Sequence, residues 1–162
     1  MAKILIYSEA VHTGKTTRLA QYFEHQTDVF GFLNPDIQGI RHLLNLHTKE
    51  LMRLDLPEDT DLPFIEVGKY RLSAPALEAA RNILTQMNSV SKSYFVLDEI
   101  GKIEMENRGL EPALSTCMNH FKQRTDESTL IVVIRDYLLD RAIKKYALEG
   151  VEVVGHTYFE NV

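Results

Sequence analysis

Gly14-Lys15-Thr16-Thr17 lies a few residues after an apolar strand and opens a helix, and that placement gives ordinary residues a joint chemistry. A lysine in the first turn faces the positive end of the helix dipole, Arg18 adds a second cation, and no carboxylate in the turn offsets them. An anion held by the free backbone N–H groups removes the conflict, which is how a phosphate-binding loop works. On that reading Lys15 reaches the terminal phosphates of a nucleotide and the Thr16 hydroxyl coordinates Mg²⁺. The expected nucleotide-binding set is the loop and first turn: Glu9, Ala10, Val11, His12, Thr13, Gly14, Lys15, Thr16 and Thr17. The competing reading is an ordinary exposed helix start, since a Gly-Lys-Ser/Thr triplet arises by chance in roughly one chain in ten of this size.

Asp98-Glu99 follows the apolar run Tyr94-Phe95-Val96-Leu97. Carboxylates at the end of a buried parallel strand sit where open α/β sheets bind their ligands. Asp98 is placed to hold Mg²⁺, directly or through water, and Glu99 to polarise a water for attack on the γ-phosphate. The alternative is a helix N-cap with an acidic first turn. Arg135, closing the strand Leu130 to Ile134, is a candidate γ-phosphate sensor or else an exposed strand cap. Lys102 either neutralises transition-state charge or pairs with Glu104 or Glu106. Gly155-His156-Thr157, after the last strand, is placed either beside a nucleotide base or, the favoured reading, as a surface tail. The six histidines form no pair at helical ligand spacing, and one cysteine completes no metal set, so Mg²⁺ is the only metal implied.

The elements that must position these groups are legible from periodicity. Lys3 to Tyr7 is a short apolar strand suited to burial on both faces. Thr16 to Gln26 has helical spacing. From 29 to 72 the chain reads as short strands, Phe30 to Leu33, Ile40 to Leu46, Leu51 to Leu56 and Phe64 to Leu72, separated by turn signals. That pattern suggests antiparallel hairpins. Pro75 to Met87, Glu111 to Gln123 and Tyr137 to Leu148 read as helices alternating with strands at 94–97, 129–134 and 151–154, the order of a parallel two-sided sheet. One α/β domain spanning 1–162, with an antiparallel insertion at about 29–72, is the expected organisation.

Composition fits it. The chain has 162 residues, 44 % of them hydrophobic and 25 % charged, values of a soluble globular protein. A net charge of −5 argues against broad binding to a nucleic-acid backbone, so any anion must sit at a local site. The single cysteine, Cys117, permits no internal disulfide and favours a reducing compartment. No run is long enough to cross a bilayer or to serve as a signal-peptide core, and the expected location is the cytoplasm.

Three segments in order carry a more specific resemblance. Phe30 to Leu46, with Gly31-Phe32 and Gly39-Ile40-Arg41, then Val67-Gly68-Lys69-Tyr70 before a helix, then Val96-Leu97-Asp98-Glu99-Ile100-Gly101-Lys102-Ile103-Glu104, resemble the thermostable nucleoside-triphosphatase family and its cancer-related nucleoside-triphosphatase relatives, a branch of the P-loop NTPases. The match runs from residue 3 to about residue 120. It implies a three-layer α/β sandwich whose mixed sheet has a parallel core extended by antiparallel hairpins. It also implies Mg²⁺-dependent hydrolysis of nucleoside triphosphates with broad nucleotide tolerance. Glu9 and His12 stand where the family loop has glycine, and Asn107 where it has serine. An inward Glu9 carboxylate about 6 Å from a phosphate charge would cost roughly 3 kcal/mol at an effective dielectric near 20; the alternative, at a strand exit, is a carboxylate that points away.

Three functions fit these residues: a phosphohydrolase of ATP or GTP, a module that binds nucleotide with little turnover, and a kinase of a small acceptor. The kinase reading lacks a run of clustered arginines. The partner expected in every case is a nucleoside triphosphate, bound by a monomer or a weak homo-oligomer.

Overall fold

A computed structural model describes residues 1–10 and 13–160. Along the chain lie β1 (Lys3–Tyr7), α1 (Lys15–Tyr22), β2 (Val29–Leu33), β3 (Asp36–Ile37), β4 (Ile40–Asn45), β5 (Leu51–Arg53), β6 (Asp55–Leu56), β7 (Phe64–Val67) and β8 (Tyr70–Ser73). They are followed by α2 (Ala74–Met87), β9 (Tyr94–Ile100), α3 (Lys102–Met105), α4 (Ala113–Lys122), β10 (Thr129–Ile134), α5 (Leu139–Lys145) and β11 (Glu152–Val154). Short 3₁₀ turns occupy Asp136–Leu138 and His156–Phe159.

The central sheet has the order β11-β1-β10-β9-β2-β4-β3, with β5 also paired to β4. Its first five strands are mutually parallel, and β4, β3 and β5 continue it antiparallel. Alternation along the parallel strands builds two apolar layers. Ile6, Phe32, Leu97 and Val132 face α2, α4 and α5, while Leu5, Tyr7, Val96 and Val133 face Leu19 and Phe23 at α1. Each such buried side chain contributes about 1.5–3 kcal/mol, so this layering dominates the fold's stability.

The antiparallel region begins later than periodicity suggests. β2 is buried at all five positions and runs parallel to β9, in register Val29 with Tyr94 and Phe32 with Leu97. It belongs to the core because it is apolar on both faces. A Cβ on Gly31, whose φ is +133°, would lie 2.0 Å from the Val96 carbonyl oxygen, so only glycine lets the two strands approach this closely.

The remaining strands are shorter than periodicity suggests. Leu51 to Leu56 divides between two sheets, β5 in the central one and β6 in a small sheet of order β6-β8-β7. Phe64 to Leu72 is a hairpin rather than one strand, turning at Gly68, whose φ is +57°. Arg41 on β4 joins the two sheets through a bidentate ion pair with Asp55, Nε–Oδ2 2.9 Å and Nη2–Oδ1 2.8 Å. The small sheet packs Leu54 and Leu72 against Leu77 of α2 and Ile103 of α3.

Helix ends also differ. α1 stops at Tyr22, four residues short of Gln26, whose side-chain amide donates to the Tyr22 carbonyl at 3.0 Å. α4 starts after Pro112, with the Glu111 carboxylate accepting from Ser115 N and Oγ, both at 2.8 Å. The segment expected as one helix from Tyr137 begins as a 3₁₀ turn and becomes α5 only at Leu139. Residues 156–159 are not a surface tail: Phe159 is buried against Tyr7, ring centroids 4.6 Å apart.

Candidate functional site

The expected site residues gather at the C-terminal ends of the parallel strands. β1 exits into the loop that enters α1 at Gly14, an N-cap in the left-handed region with φ +89°. Among the described residues no side chain caps this helix, and its first turn holds no acidic residue. Lys15 is 7 % exposed, and among the described residues its ammonium donates only to backbone carbonyls, Glu9 O at 2.9 Å and Ala10 O at 3.3 Å. Among the described residues it has no carboxylate partner. A buried cation so held favours an anion in the adjoining cleft. Thr13 Oγ1 braces the loop by donating to Ala10 O at 2.6 Å.

β9 runs through Asp98 and Glu99 to Ile100, three residues beyond the apolar run. Neither carboxylate caps a helix, because α3 begins at Lys102 with Gly101 as its N-cap. The Asp98 carboxylate is buried and accepts from Thr16 Oγ1 at 2.7 Å and from the Asn34 backbone N–H at 3.0 Å. Burial and then the neighbouring Glu99 charge hold Asp98 above the usual carboxylate range, against those two hydrogen bonds. Glu99 turns the other way, accepting from Arg135 Nε at 2.7 Å, and Arg135 Nη1 donates to the Tyr137 hydroxyl at 3.0 Å. Arg135 is therefore an inward, partly buried member of the site rather than an exposed strand cap. Burial opposes its charge, but Glu99 and Tyr137 together hold its pKa above the ordinary value.

A cleft of about 640 Å³ runs from Thr13–Thr17 along α1 to Asn34, Arg41, Glu99 and Arg135. It gathers Thr13, Gly14, Lys15, Thr16, Thr17, Glu99 and Arg135 from the expected set. Asp98 lines an adjoining cavity with Thr16, Glu99 and Lys102. Lys102 is exposed, and neither expected pairing forms: Glu104 turns to the Gly101 and Leu110 N–H groups, and Glu106 pairs with Arg108 at 3.4 Å. Val11 and His12 lie outside the described residues.

The Glu9 carboxylate is turned to the far side of the loop, where Oε1 accepts from the His156 N–H at 3.1 Å. A Cβ on Gly155 would sit 2.4 Å from that oxygen, so the glycine makes room for it. Arg18, the second cation of the first turn, pairs with Glu160 at 3.5 Å. The Asn34 N–H and Tyr137 were not singled out from the sequence. Asn34-Pro35 reads as a turn and carries no sign of a partner 64 residues away, whereas Tyr137, two residues after Arg135, was within local reach.

Neither family models nor curated protein sequences give a match to this chain. Solved structures do. THEP1 from the hyperthermophile Aquifex aeolicus aligns over 96 % of this chain and 89 % of its own, with a TM-score of 0.58 and 17 % identity. A human cancer-related nucleoside triphosphatase aligns over 94 % of this chain and 88 % of its own, with a TM-score of 0.64 and 19 % identity. The chain has the P-loop NTPase fold. Within that fold Gly14–Thr17 closes the β1–α1 connection and opens α1, and Asp98 lies two strands away on β9, with β10 between them.

Proposed function

We propose that this chain is a nucleoside-triphosphate phosphohydrolase, cleaving the β–γ bond of ATP or GTP with Mg²⁺, in one domain spanning 1–162 whose antiparallel insertion follows β2. The observation that carries the reading is the Thr16–Asp98 contact of 2.7 Å beside the buried Lys15 ammonium. A hydroxyl and a carboxylate are hard oxygen donors of the kind Mg²⁺ takes alongside phosphate oxygens and water. Thr16 and Asp98 would hold the ion, and a cation would relieve the like-charge conflict between Asp98 and Glu99. When bound, Mg²⁺ neutralises charge developing on the β- and γ-phosphate oxygens.

The protein groups divide the remaining work. Lys15 leaves the Glu9 and Ala10 carbonyls for the terminal phosphates, and the backbone N–H groups of the α1 entry hold their oxygens. Glu99 orients a water and accepts its proton as the oxygen attacks the γ-phosphorus. Arg135 fixes the Glu99 carboxylate and brings a positive charge to the same edge of the cleft. The single buried cysteine supports a cytoplasmic location.

Phosphate release from MgATP and MgGTP, with thermal shifts measured in parallel, tests the reading. Nucleotide at about 100 times its Kd adds about 2.7 kcal/mol, a rise in Tm of about 5–10 °C for a chain of this size. Stabilisation with phosphate release supports the hydrolase. Stabilisation without it identifies a binding module instead.

A further inference from the structure

The apolar part of the cavity that Asp98 lines is not required by hydrolysis. It measures about 310 Å³ and lies beneath the β7–β8 hairpin. Its floor is apolar, formed by Phe32, Leu43, Leu54, Leu72, Leu77 and Leu110, all buried. Glu99, Thr16 and Arg135 border both this cavity and the nucleotide cleft, so the two spaces meet at the proposed catalytic carboxylate. A water attacking a phosphate gains nothing from such walls, which offer it no hydrogen-bond partners. A pocket of about 300 Å³ with an apolar floor and convergent polar groups is instead the form of a small-molecule site.

The mouth indicates which molecule. Lys69, at the tip of the hairpin, and Lys102, at the start of α3, are both exposed and line the cavity. Neither belongs to an ion pair among the described residues; Lys69 Nζ lies 5.3 Å from the centre of the Tyr70 ring. The buried Glu104 carboxylate at the wall has both oxygens engaged, by Gly101 N–H at 2.7 Å and Leu110 N–H at 3.2 Å. Two lysines without an ion pair among the described residues, over an apolar floor, suit a compact ring whose acidic substituent stays with the lysines and not with the Asp98 and Glu99 carboxylates that also line the cavity.

We propose that this cavity binds a one-ring hydroxy acid as a phosphoryl acceptor, with its hydroxyl presented to Glu99. The inference rests on the nucleotide reading given above. The acceptor oxygen forms a bond to the γ-phosphorus as the bond from that phosphorus to the β–γ bridging oxygen breaks. The nucleoside diphosphate leaves with the electron pair, and the hydroxyl proton passes to the Glu99 carboxylate. The products are a phosphomonoester and a nucleoside diphosphate.

The test uses hydroxymethylbenzoates and hydroxybenzoates, with 4-methylbenzoate as the member lacking a hydroxyl, each incubated with the full chain and MgATP. Phosphorus NMR separates phosphomonoester from inorganic phosphate, and thermal shift reports binding. The expected result is a Tm rise with the ring acids, 4-methylbenzoate included, and a phosphomonoester only where a hydroxyl is present. Lys69→Glu at the exposed mouth and Ala80→Leu, which narrows the cavity from α2, should each lower the ratio of phosphomonoester to inorganic phosphate at least tenfold. Should Ala80→Leu fail to fold, Lys69→Glu decides alone. Inorganic phosphate as the sole product in every arm overturns the acceptor site and leaves the hydrolase standing. No consumption of nucleotide in any arm overturns both.

Discussion

Arg135 at the end of β10 donates from Nε to Glu99 Oε1 at 2.7 Å, joining the ends of two neighbouring parallel strands. Both side chains are about a quarter exposed, 27 % for Arg135 and 24 % for Glu99. The pair thus faces the cleft while being partly shielded from solvent. Arg135→Ala should lower kcat for phosphate release about tenfold or more with little change in KM, because the carboxylate loses its orientation and not the nucleotide its loop. Arg135→Lys keeps the charge but not the planar fork and should recover only part of the loss. Steady-state phosphate release checks both; a change confined to KM would contradict the positioning role.

Gly31 gives a prediction about the core. Gly31→Ala places a Cβ against the Val96 carbonyl and must push β2 from β9, which carries Asp98 and Glu99. The expected cost is about 4 kcal/mol or more, at the severe end for single substitutions. Urea unfolding measures it, and a loss below about 1 kcal/mol would contradict the close approach.

Glu104 gives a pH dependence. Burial pushes this carboxyl up to about 7 against hydrogen bonds from Gly101 and Leu110. Between the ordinary carboxylate range and pH 7 the folded protein therefore holds a proton that the unfolded chain has released. Stability from this group falls as pH rises through that window, by up to about 3 kcal/mol. Glu104→Gln does not titrate and should flatten the slope. Urea midpoints at pH 5 and pH 7.5 for the two proteins check it, and equal slopes would contradict the assignment.

Glu9 tests the altered loop. With its carboxylate on the His156 N–H, Glu9→Ala should leave MgATP affinity within about twofold, whereas an inward charge would have made the substitution strengthen binding. The variant should lose about 1 kcal/mol of stability as the His156 N–H loses its acceptor. Calorimetric titration and urea unfolding read the two effects separately.

Much of this was legible in the sequence because it is local. Gly14-Lys15-Thr16 and the strand–helix alternation after residue 75 depend on neighbours along the chain, and both correspond to features of the fold. The hairpin at Gly68 was hidden because Phe64–Val67 and Tyr70–Ser73 carry similar apolar content with only a two-residue turn between them. The membership of β2 in the parallel core depended on pairing with a strand more than sixty residues away. The Arg135–Glu99 pair spans 36 residues, and the cavity beneath the β7–β8 hairpin needs β4, β8, α2 and α3 together. No window of sequence contains either. The direction of Glu9 was set by Gly155 and His156 at the other end of the chain.

The most direct test compares wild type with Glu99→Gln, measuring phosphate release and nucleotide-dependent thermal shift on the same preparations with MgATP and MgGTP. The amide keeps the side chain's shape but cannot take a proton from water. The account predicts an unchanged thermal shift and a loss of phosphate release of about a hundredfold or more, the scale of general-base catalysis. Equal phosphate release by the two proteins would contradict it.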